Sequence, residues 1–328
     1  MNMPRVFIPD PIHADGVARL SGRFFVDAPA GGQDAAARRL AFAQADAVIV
    51  RNLAIDASLM DSCPRLKIIA KHGAGVDNID VAAATARGIV VANVPGGNAD
   101  AVAEGTVALM LATLRGVPEA HRLVISGVYS ARWRLQYGQL GGRTLGLVGI
   151  GNIGARVAKI CAQGFRMRVL AYDPGLSEAD IQARGAQKIE DLKSLLGASD
   201  VVSLHMPMSA ASFHLIGAAE LRAMRATAIL VNTARGPLVD EGALAEALNA
   251  RRIGGAGLDV FEVEPPSPDN PLLRAPNVVL SPHTAGNTVE AARNLALASA
   301  EIVLAVIDDN PPAGFLNPEV WRTRRSSA

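Results

Sequence analysis

A glycine-rich segment in the middle of the chain constrains its fold more than any other feature. The apolar residues 145–148 predict a buried parallel strand, and a helix is predicted at residues 155–163. Between them, Gly149, Gly151 and Gly154 form a G-x-G-x-x-G spacing. The first glycine permits a tight turn, the second lets a pyrophosphate approach the backbone, and the third lets helix and strand pack closely. The segment therefore predicts a dinucleotide site, with the phosphates at the positive end of the helix.

An aspartate at the end of the next predicted strand indicates which dinucleotide binds. That strand covers residues 168–172 and is followed by Asp173, about 20 residues beyond the glycines. A carboxylate at this position accepts hydrogen bonds from both ribose hydroxyls, and it repels the additional 2′-phosphate of NADP. Pro174 and Gly175 come next, so no arginine directly follows Asp173. The expected cofactor is NAD.

Length and composition narrow the class of protein. At 328 residues the chain is long enough for two domains. Its composition, with 50% hydrophobic and only 4% aromatic residues, is typical of an α/β protein rich in alanine, valine and leucine. A net charge of +1 provides no electrostatic attraction to nucleic acid or to an anionic membrane. Because no signal peptide and no apolar run of membrane-spanning length is visible, we expect a cytoplasmic protein that binds neither partner.

The cysteines and the other metal-ligating residues form no recognisable pattern along the chain. Cys63 and Cys161 are far apart and belong to no C-x-x-C or similar spacing. Both are expected to be small buried residues in a reducing compartment. The sequence predicts no metal site.

Short apolar strands alternate with helical patterns, which predicts parallel, doubly wound sheets. Before the glycine segment, the predicted strands are 5–8, 23–26, 47–50, 67–70 and 89–91, and the predicted helices are 14–20, 34–44, 56–63 and 81–87. After residue 143, further strands are predicted at 201–204, 228–232, 257–260 and 278–280, and further helices at 189–196, 218–224 and 241–250.

The length of the last predicted helix indicates how the two halves are connected. Residues 288–308 form too long a helix for one more unit of the second half, so we expect this helix to return to the first. The predicted fold is α/β, with two doubly wound parallel-sheet domains. A Rossmann NAD domain (residues 99–287) is inserted into a discontinuous, flavodoxin-like substrate domain (residues 1–98 and 288–328).

Three polar side chains follow neighbouring strands of the second half, where open α/β sheets bind their ligands. Arg235 follows one predicted strand, Glu264 lies in the loop after the next, and His283 lies just past the last. An arginine can anchor a substrate carboxylate and polarise a keto oxygen. An imidazolium can donate a proton, and a carboxylate beside it orients the ring and favours its charged form. Together they suit the reduction of a 2-keto acid.

These segments resemble the D-isomer-specific 2-hydroxyacid dehydrogenase family, and particularly its phosphoglycerate dehydrogenase-like and hydroxypyruvate reductase-like branch. The similarity runs from about residue 45 to about residue 310 and includes residues 72–80, 149–154, 172–174, 232–236, 257–265 and 281–286. It implies Arg235 as the substrate anchor, His283 as the acid/base and Glu264 as the partner of His283.

The resemblance also implies further site residues. Those that would line the cofactor are Thr106, Asn152, Ile153, Thr233 and Asp259. Those that would contact the substrate are Arg51 and a loop whose backbone N–H groups form an anion nest, Gly73, Ala74, Gly75 and Val76. The particular 2-hydroxy acid stays open, because His72 and the loop at residues 133–137 have no assigned role.

Two other functions on the same fold remain open at this stage. One is an NAD-sensing binding protein similar to the co-repressors of this superfamily, which retain the same Arg, Glu and His. The other is a phosphite-type dehydrogenase. Formate enzymes of the superfamily carry glutamine at the position of Glu264, which disfavours that substrate.

The apolar helices predicted at residues 98–115 and 118–126 indicate an assembly. They carry more hydrophobic surface than one face of a Rossmann sheet can cover. A two-fold homodimer built through them is therefore predicted, and the resemblance implies the same.

Overall fold

The chain divides into two compact units in the computed structural model, which describes residues 3–28 and 35–325. Unit 1 comprises Met1–Asn98 and Asn287–Ala328, and unit 2 comprises Ala99–Gly286. Unit 1 is therefore discontinuous. Asp34, the predicted start of a helix, lies outside the described residues.

Unit 1 contains a five-stranded parallel sheet with the order β2-β1-β3-β4-β5, which is the flavodoxin-like order. Its strands are β1 Arg5–Phe7, β2 Phe25–Asp27, β3 Ala47–Val50, β4 Ile68–Lys71 and β5 Val90–Ala92. Its helices are α1 Ala14–Leu20, α2 Ala35–Ala43, α3 Ala57–Asp61, α4 Val81–Ala86 and α12 Val289–Ile307. Apolar side chains pack on both faces of the sheet, which explains why β3 is wholly apolar and buried.

Helix α12 belongs to unit 1. Thr288 caps its start by accepting a hydrogen bond from the Ala291 N–H at 3.1 Å. The helix packs so closely on α1 that a Cβ atom at Gly16 would lie 2.7 Å from the Cβ of Ala296. A glycine at position 16 is therefore needed for this contact.

Unit 2 contains a seven-stranded parallel sheet with the order β12-β11-β10-β9-β6-β7-β8, a Rossmann arrangement with one added strand. Its strands are β6 Thr144–Val148, β7 Arg168–Tyr172, β8 Gln187–Lys188, β9 Val201–Leu204, β10 Ile229–Asn232, β11 Gly255–Leu258 and β12 Val278–Leu280. Its helices are α5 Ala99–Leu114, α6 Val117–Ile125, α7 Asn152–Phe165, α8 Glu178–Ala183, α9 Leu192–Ala198, α10 Ala218–Ala223 and α11 Glu241–Asn249. Short 3-10 helices lie at Tyr129–Arg134, Gly236–Leu238 and Pro271–Arg274 in unit 2, and at Pro318–Arg322 in unit 1.

Several element boundaries differ from the sequence expectation, each for a local reason. Helix α7 starts at Asn152 rather than at residue 155, because Gly151 is its N-cap. Helix α9 starts at Leu192 rather than at residue 189, because the side chain of Asp191 caps it. Strand β8 was not predicted, since it has only two residues, both polar.

The two apolar helices that precede the glycine segment have different environments. Most side chains of α5 are buried, and the helix packs on β10 and β11. No residue of α6 is buried. Among the residues that the structure describes, no helix combines the length and the hydropathy of a membrane span.

Candidate active site

The glycine turn between β6 and α7 has the shape that its spacing predicts. Gly149 has a φ of 88°, and a Cβ atom there would lie 2.7 Å from the carbonyl oxygen of His205. A Cβ atom at Gly154 would lie 2.6 Å from the carbonyl oxygen of Gly149. At Gly151, by contrast, a Cβ atom would meet no protein atom within 4 Å. The first and third glycines are thus required by packing, and the second borders open space suitable for a pyrophosphate.

The groups around this turn fit a bound dinucleotide. Gly151 offers no side-chain cap, so the first N–H groups of α7, including those of Asn152 and Ile153, lack a helical or capping partner. Asp173 lies beside the turn, because its carboxylate accepts a hydrogen bond from the N–H of Ile150 at 3.0 Å. Its second oxygen accepts one from the N–H of Gly175 at 3.1 Å. Backbone donors therefore hold the carboxylate at the end of β7, where a ribose is expected.

Glu264 and His283 form a direct pair. Nδ1 of His283 lies 2.8 Å from Oε2 of Glu264, and Oε1 of Glu264 accepts a hydrogen bond from the N–H of Phe261 at 3.1 Å. About half of the imidazole is exposed, so its second nitrogen can reach a ligand. The pair borders a cavity of about 460 Å³ whose lining is mostly apolar.

Asp259 holds the segment that carries His283. The side chain is 1% exposed, and its carboxylate accepts hydrogen bonds from the hydroxyl of Ser281 at 2.6 Å and from the N–H groups of Thr284 and Ala285 at 2.8 and 2.9 Å. The carbonyl oxygen of Asp259 accepts a fourth hydrogen bond, from the N–H of His283 at 2.7 Å. This arrangement holds His283 in a left-handed backbone conformation with a φ of 55°. The resemblance assigned Asp259 to the cofactor, and the sequence contained no signal for these contacts.

Arg235 follows β10 in a turn that packs on the loop bearing Glu264. The amide of Asn232 accepts from the N–H of Ala234 at 3.0 Å and donates to the carbonyl of Arg235 at 2.8 Å. A Cβ atom at Gly236 would lie 1.9 Å from the carbonyl carbon of Phe261. Because β10, β11 and β12 are adjacent and parallel, the arginine, the glutamate and the histidine follow the same edge of the sheet in unit 2.

Thr106 and Thr233 are both buried and bonded to each other. Their hydroxyl oxygens are 2.8 Å apart, and the hydroxyl of Thr106 also donates to the Val102 carbonyl. This contact joins α5 to the end of β10.

Unit 1 contains the glycine loop that follows β4. The carbonyl of Gly73 accepts from the N–H of Val94 at 2.9 Å, and the carbonyl of Ala74 accepts from the side chain of Asn93 at 2.5 Å. Within the described part of the chain, the N–H groups of Ala74, Gly75 and Val76 donate no hydrogen bond. The loop therefore fixes its carbonyls and leaves successive donors available, as an anion nest does.

Lys71 is a support of this loop that sequence reasoning missed. Its ammonium donates to the carbonyl of Arg51 and to the side chain of Asn78, both at 2.6 Å, and Asn78 donates to the carbonyl of Leu53. The guanidinium of Arg51 donates to Asn287 at 2.7 Å. A lysine that ends an apolar strand is the only signal the sequence offered.

Two histidines lie near these loops: His72 is buried, and His205 is half-buried with its Nδ1 atom enclosed. Burial lowers the pKa of His205, behind the glycine turn, to about 3. Burial, with the positive charge of Arg51 as a second cause, lowers the pKa of His72 to about 4. Both rings are therefore neutral at neutral pH, and neither suits a role that requires an imidazolium.

Acid should destabilise the folded protein through these two rings. In the unfolded chain each imidazole binds a proton as the pH falls below about 6.5, whereas in the folded chain it stays neutral. The free energy of unfolding is therefore highest above about pH 6.5 and decreases towards pH 4. We expect each ring to account for about 3 kcal/mol of that loss. Urea unfolding between these pH values should have a shallower pH slope in His205→Asn, whereas the same change at the exposed His121 should leave the slope unaltered. If the His205→Asn and His121→Asn proteins show the same dependence of stability on pH, the prediction is contradicted.

Comparison with known proteins identifies the class to which this fold and site belong. Residues 107–285 match the sequence profile of the D-isomer specific 2-hydroxyacid dehydrogenase, NAD binding domain. The chain is 41% identical over 331 residues to a glyoxylate reductase of Korarchaeum cryptofilum, and the match covers 98% of each protein. It belongs to the D-isomer specific 2-hydroxyacid dehydrogenase family and is an oxidoreductase that uses a nicotinamide dinucleotide.

Two further proteins place the chain within the family. It is 44% identical over 273 residues to a D-3-phosphoglycerate dehydrogenase of Archaeoglobus fulgidus, a match that covers 83% of this chain and 51% of that protein. The chain thus spans about half the length of this relative. A solved structure of an NADPH-dependent glyoxylate/hydroxypyruvate reductase of Sinorhizobium meliloti, in complex with NADP and malonate, is 30% identical with a TM-score of 0.82 and full coverage of both chains.

Proposed function

We propose that this enzyme transfers a hydride between NAD and a small 2-keto or 2-hydroxy acid, with His283 as the acid/base. The observation that carries the proposal is the 2.8 Å contact between the half-exposed imidazole of His283 and Glu264, at the same sheet edge as Arg235. In the reducing direction, NADH held at the glycine turn would supply the hydride for the keto carbon. His283 donates the proton to the keto oxygen, and Glu264 stabilises the imidazolium before that transfer.

In this proposal Arg235 binds the substrate carboxylate and polarises the keto oxygen, because a guanidinium presents paired donors to planar anions. In unit 1, the N–H groups of residues 74–76 form an anion nest suited to a carboxylate, with Gly73 and Lys71 shaping the loop and Arg51 beside it. Thr106, Thr233 and Asp259 support the cofactor side. Unit 1 is accordingly the substrate domain, and unit 2 is the NAD domain.

The test is NADH oxidation with a panel of glyoxylate, hydroxypyruvate, pyruvate, phosphohydroxypyruvate and bulkier 2-keto acids. The names of the relatives make glyoxylate and hydroxypyruvate the first candidates. Turnover of at least one acid, abolished in His283→Ala, is expected. NADH binding without turnover of any acid would favour the NAD-sensing alternative, and NAD reduction by phosphite alone would favour the phosphite enzyme.

NADH should be preferred over NADPH by at least about tenfold in kcat/KM. The carboxylate of Asp173, held by the N–H groups of Ile150 and Gly175, would lie against the 2′-phosphate of NADPH, and a repulsion of about 1.4 kcal/mol corresponds to a factor of ten. Asp173→Ala should narrow the ratio. Steady-state kinetics with each cofactor measures it, and equal kcat/KM values in the parent enzyme would contradict the role of Asp173.

The chain should form a homodimer, as predicted from its two apolar helices. Since most of α5 is buried within unit 2, the contact is now expected through α6 and the segment that follows it. No residue of α6 is buried, and Val124, Ile125 and Trp133 are 62%, 72% and 79% exposed. An apolar surface of this kind is typical of an interface. Light scattering at micromolar concentration should give twice the chain mass. Ile125→Glu should give a monomer, whereas Leu40→Glu, at a leucine of α2 that is 62% exposed, should not. A monomeric parent protein would contradict this prediction.

A further inference from the structure

A cluster of three potential metal ligands lies in unit 2, apart from the Glu264–His283 pair. It consists of His214 from the segment after β9, Asp240 at the start of α11 and Glu262 from the loop after β11. One ligand atom from each lies within 4.8 Å of the others. The three residues are far apart in sequence, so the fold alone brings them together.

The geometry of the cluster is close to that of a metal site. Nε2 of His214 lies 2.9 Å from Oε1 of Glu262, and Nδ1 lies 4.0 Å from Oδ2 of Asp240. One ion can bind only one of the two imidazole nitrogens. In the tetrahedral geometry that Zn²⁺ prefers, with metal–ligand bonds of about 2.1 Å, two ligand atoms are about 3.4 Å apart. The ligand atoms lie within 4.8 Å of one another, so the widest separation has to shrink by at most about 1.4 Å, which rotation of the partly exposed carboxylates can supply.

The surroundings hold the ligands and leave lone pairs for a cation. The N–H of His214 donates to the carbonyl of Pro237 at 2.8 Å, and its ring stacks on Phe213 at 3.9 Å between centroids. Oδ1 of Asp240 accepts the capping hydrogen bond from Ala243, so Oδ2 is left to face the imidazole. Oε2 of Glu262 accepts no hydrogen bond within the described residues.

The charge of the cluster also favours a divalent cation. Among the described residues, neither Asp240 nor Glu262 forms an ion pair with a lysine or an arginine, and both carboxylates face the imidazole of His214. A third carboxylate, Glu241, accepts the N–H of Glu262 at 2.7 Å. A bound dication would balance these carboxylates, which have no lysine or arginine partner among the described residues.

We propose that His214, Asp240 and Glu262 bind one transition-metal ion of the Zn²⁺ class. One imidazole nitrogen and two carboxylate oxygens suit Zn²⁺ better than Mg²⁺ or Ca²⁺, which prefer oxygen ligands alone. The ion links the segment after β9, the start of α11 and the loop that carries Glu264 two residues further on. It occupies a site distinct from the acid/base pair and stabilises that loop.

The test is titration of the chelator-treated full-length protein with ZnCl₂ by calorimetry, with the melting temperature followed in parallel. We expect saturable binding of one ion per chain and a higher melting temperature. His214→Gln and Asp240→Asn should each weaken binding by at least about tenfold. Asparagine at position 240 can still cap α11, so this second variant keeps the fold if His214→Gln does not.

Two controls determine which residues bind the ion. His121→Gln removes an exposed histidine of α6, and His283→Ala removes the acid/base. Both variant proteins should bind Zn²⁺ with the affinity of the parent. Loss of binding in His283→Ala would assign the ion to the active site and overturn the proposal. Retention of parent affinity in both cluster variants, or the absence of saturable binding in the parent, would overturn it equally.

Discussion

His283→Ala should lower the turnover of 2-keto acid reduction by about 10²-fold to 10⁴-fold, the usual contribution of a general acid/base. The half-exposed imidazole paired with Glu264 is the proton donor in the proposed reaction, and alanine leaves only water in its place. Single-turnover kinetics with saturating NADH measures the chemical step. A loss smaller than about tenfold, with NADH affinity unchanged, would assign the proton transfer to another group.

Glu264→Gln separates the acid/base role from simple packing. Reduction requires the imidazolium, so its rate falls as the pH rises, and oxidation of the hydroxy acid has the opposite dependence. Removing the charge 2.8 Å from Nδ1 disfavours the imidazolium, and the descending limb of the reduction profile should therefore move to lower pH. The matched control, Glu178→Gln at an exposed position of α8, should keep the parent profile. If the Glu264→Gln profile coincides with that of the parent, the two residues are not coupled.

Arg235→Ala should lower kcat/KM by about 10²-fold to 10³-fold, with both kcat and KM affected. The guanidinium is proposed to bind the substrate carboxylate and to polarise the keto oxygen, so ground state and transition state both lose an interaction. Arg235→Lys keeps the charge but not the paired donors and should recover only part of the loss. Arg222→Ala, at an exposed position of α10, should change neither parameter. An unchanged KM in Arg235→Ala would contradict the anchoring role.

Both parallel sheets could be predicted from the sequence because their signals are local. Apolar runs of four or five residues, such as β3 and β6, alternate with capped helices, and this alternation allows few topologies. Boundaries were less accurate where a cap was not recognised, as at Asp191 before α9. The two-residue strand β8 has no apolar pattern that would predict it. It is a strand only because it pairs with β7.

The dinucleotide-binding turn could be predicted from the sequence for the same reason. Gly149, Gly151 and Gly154 act within one turn and the start of one helix, so their spacing contains the geometry that the structure displays. The pairing of Glu264 with His283 could be expected only in outline. Strand order placed both residues at one sheet edge, and the family resemblance suggested the contact.

The sequence by itself determined the fold class, the family and the position of the dinucleotide turn, because these depend on patterns within about 30 residues. The tertiary structure alone decided which side chains fix the site. The carboxylate of Asp259 accepts hydrogen bonds from Ser281, Thr284 and Ala285, on both sides of His283. The ammonium of Lys71, at the end of β4, donates to the carbonyl of Arg51 and to Asn78. The His214 cluster likewise draws on three separate segments. Such contacts depend on strand order and loop packing, and residues more than 20 positions apart contain no local pattern that encodes them.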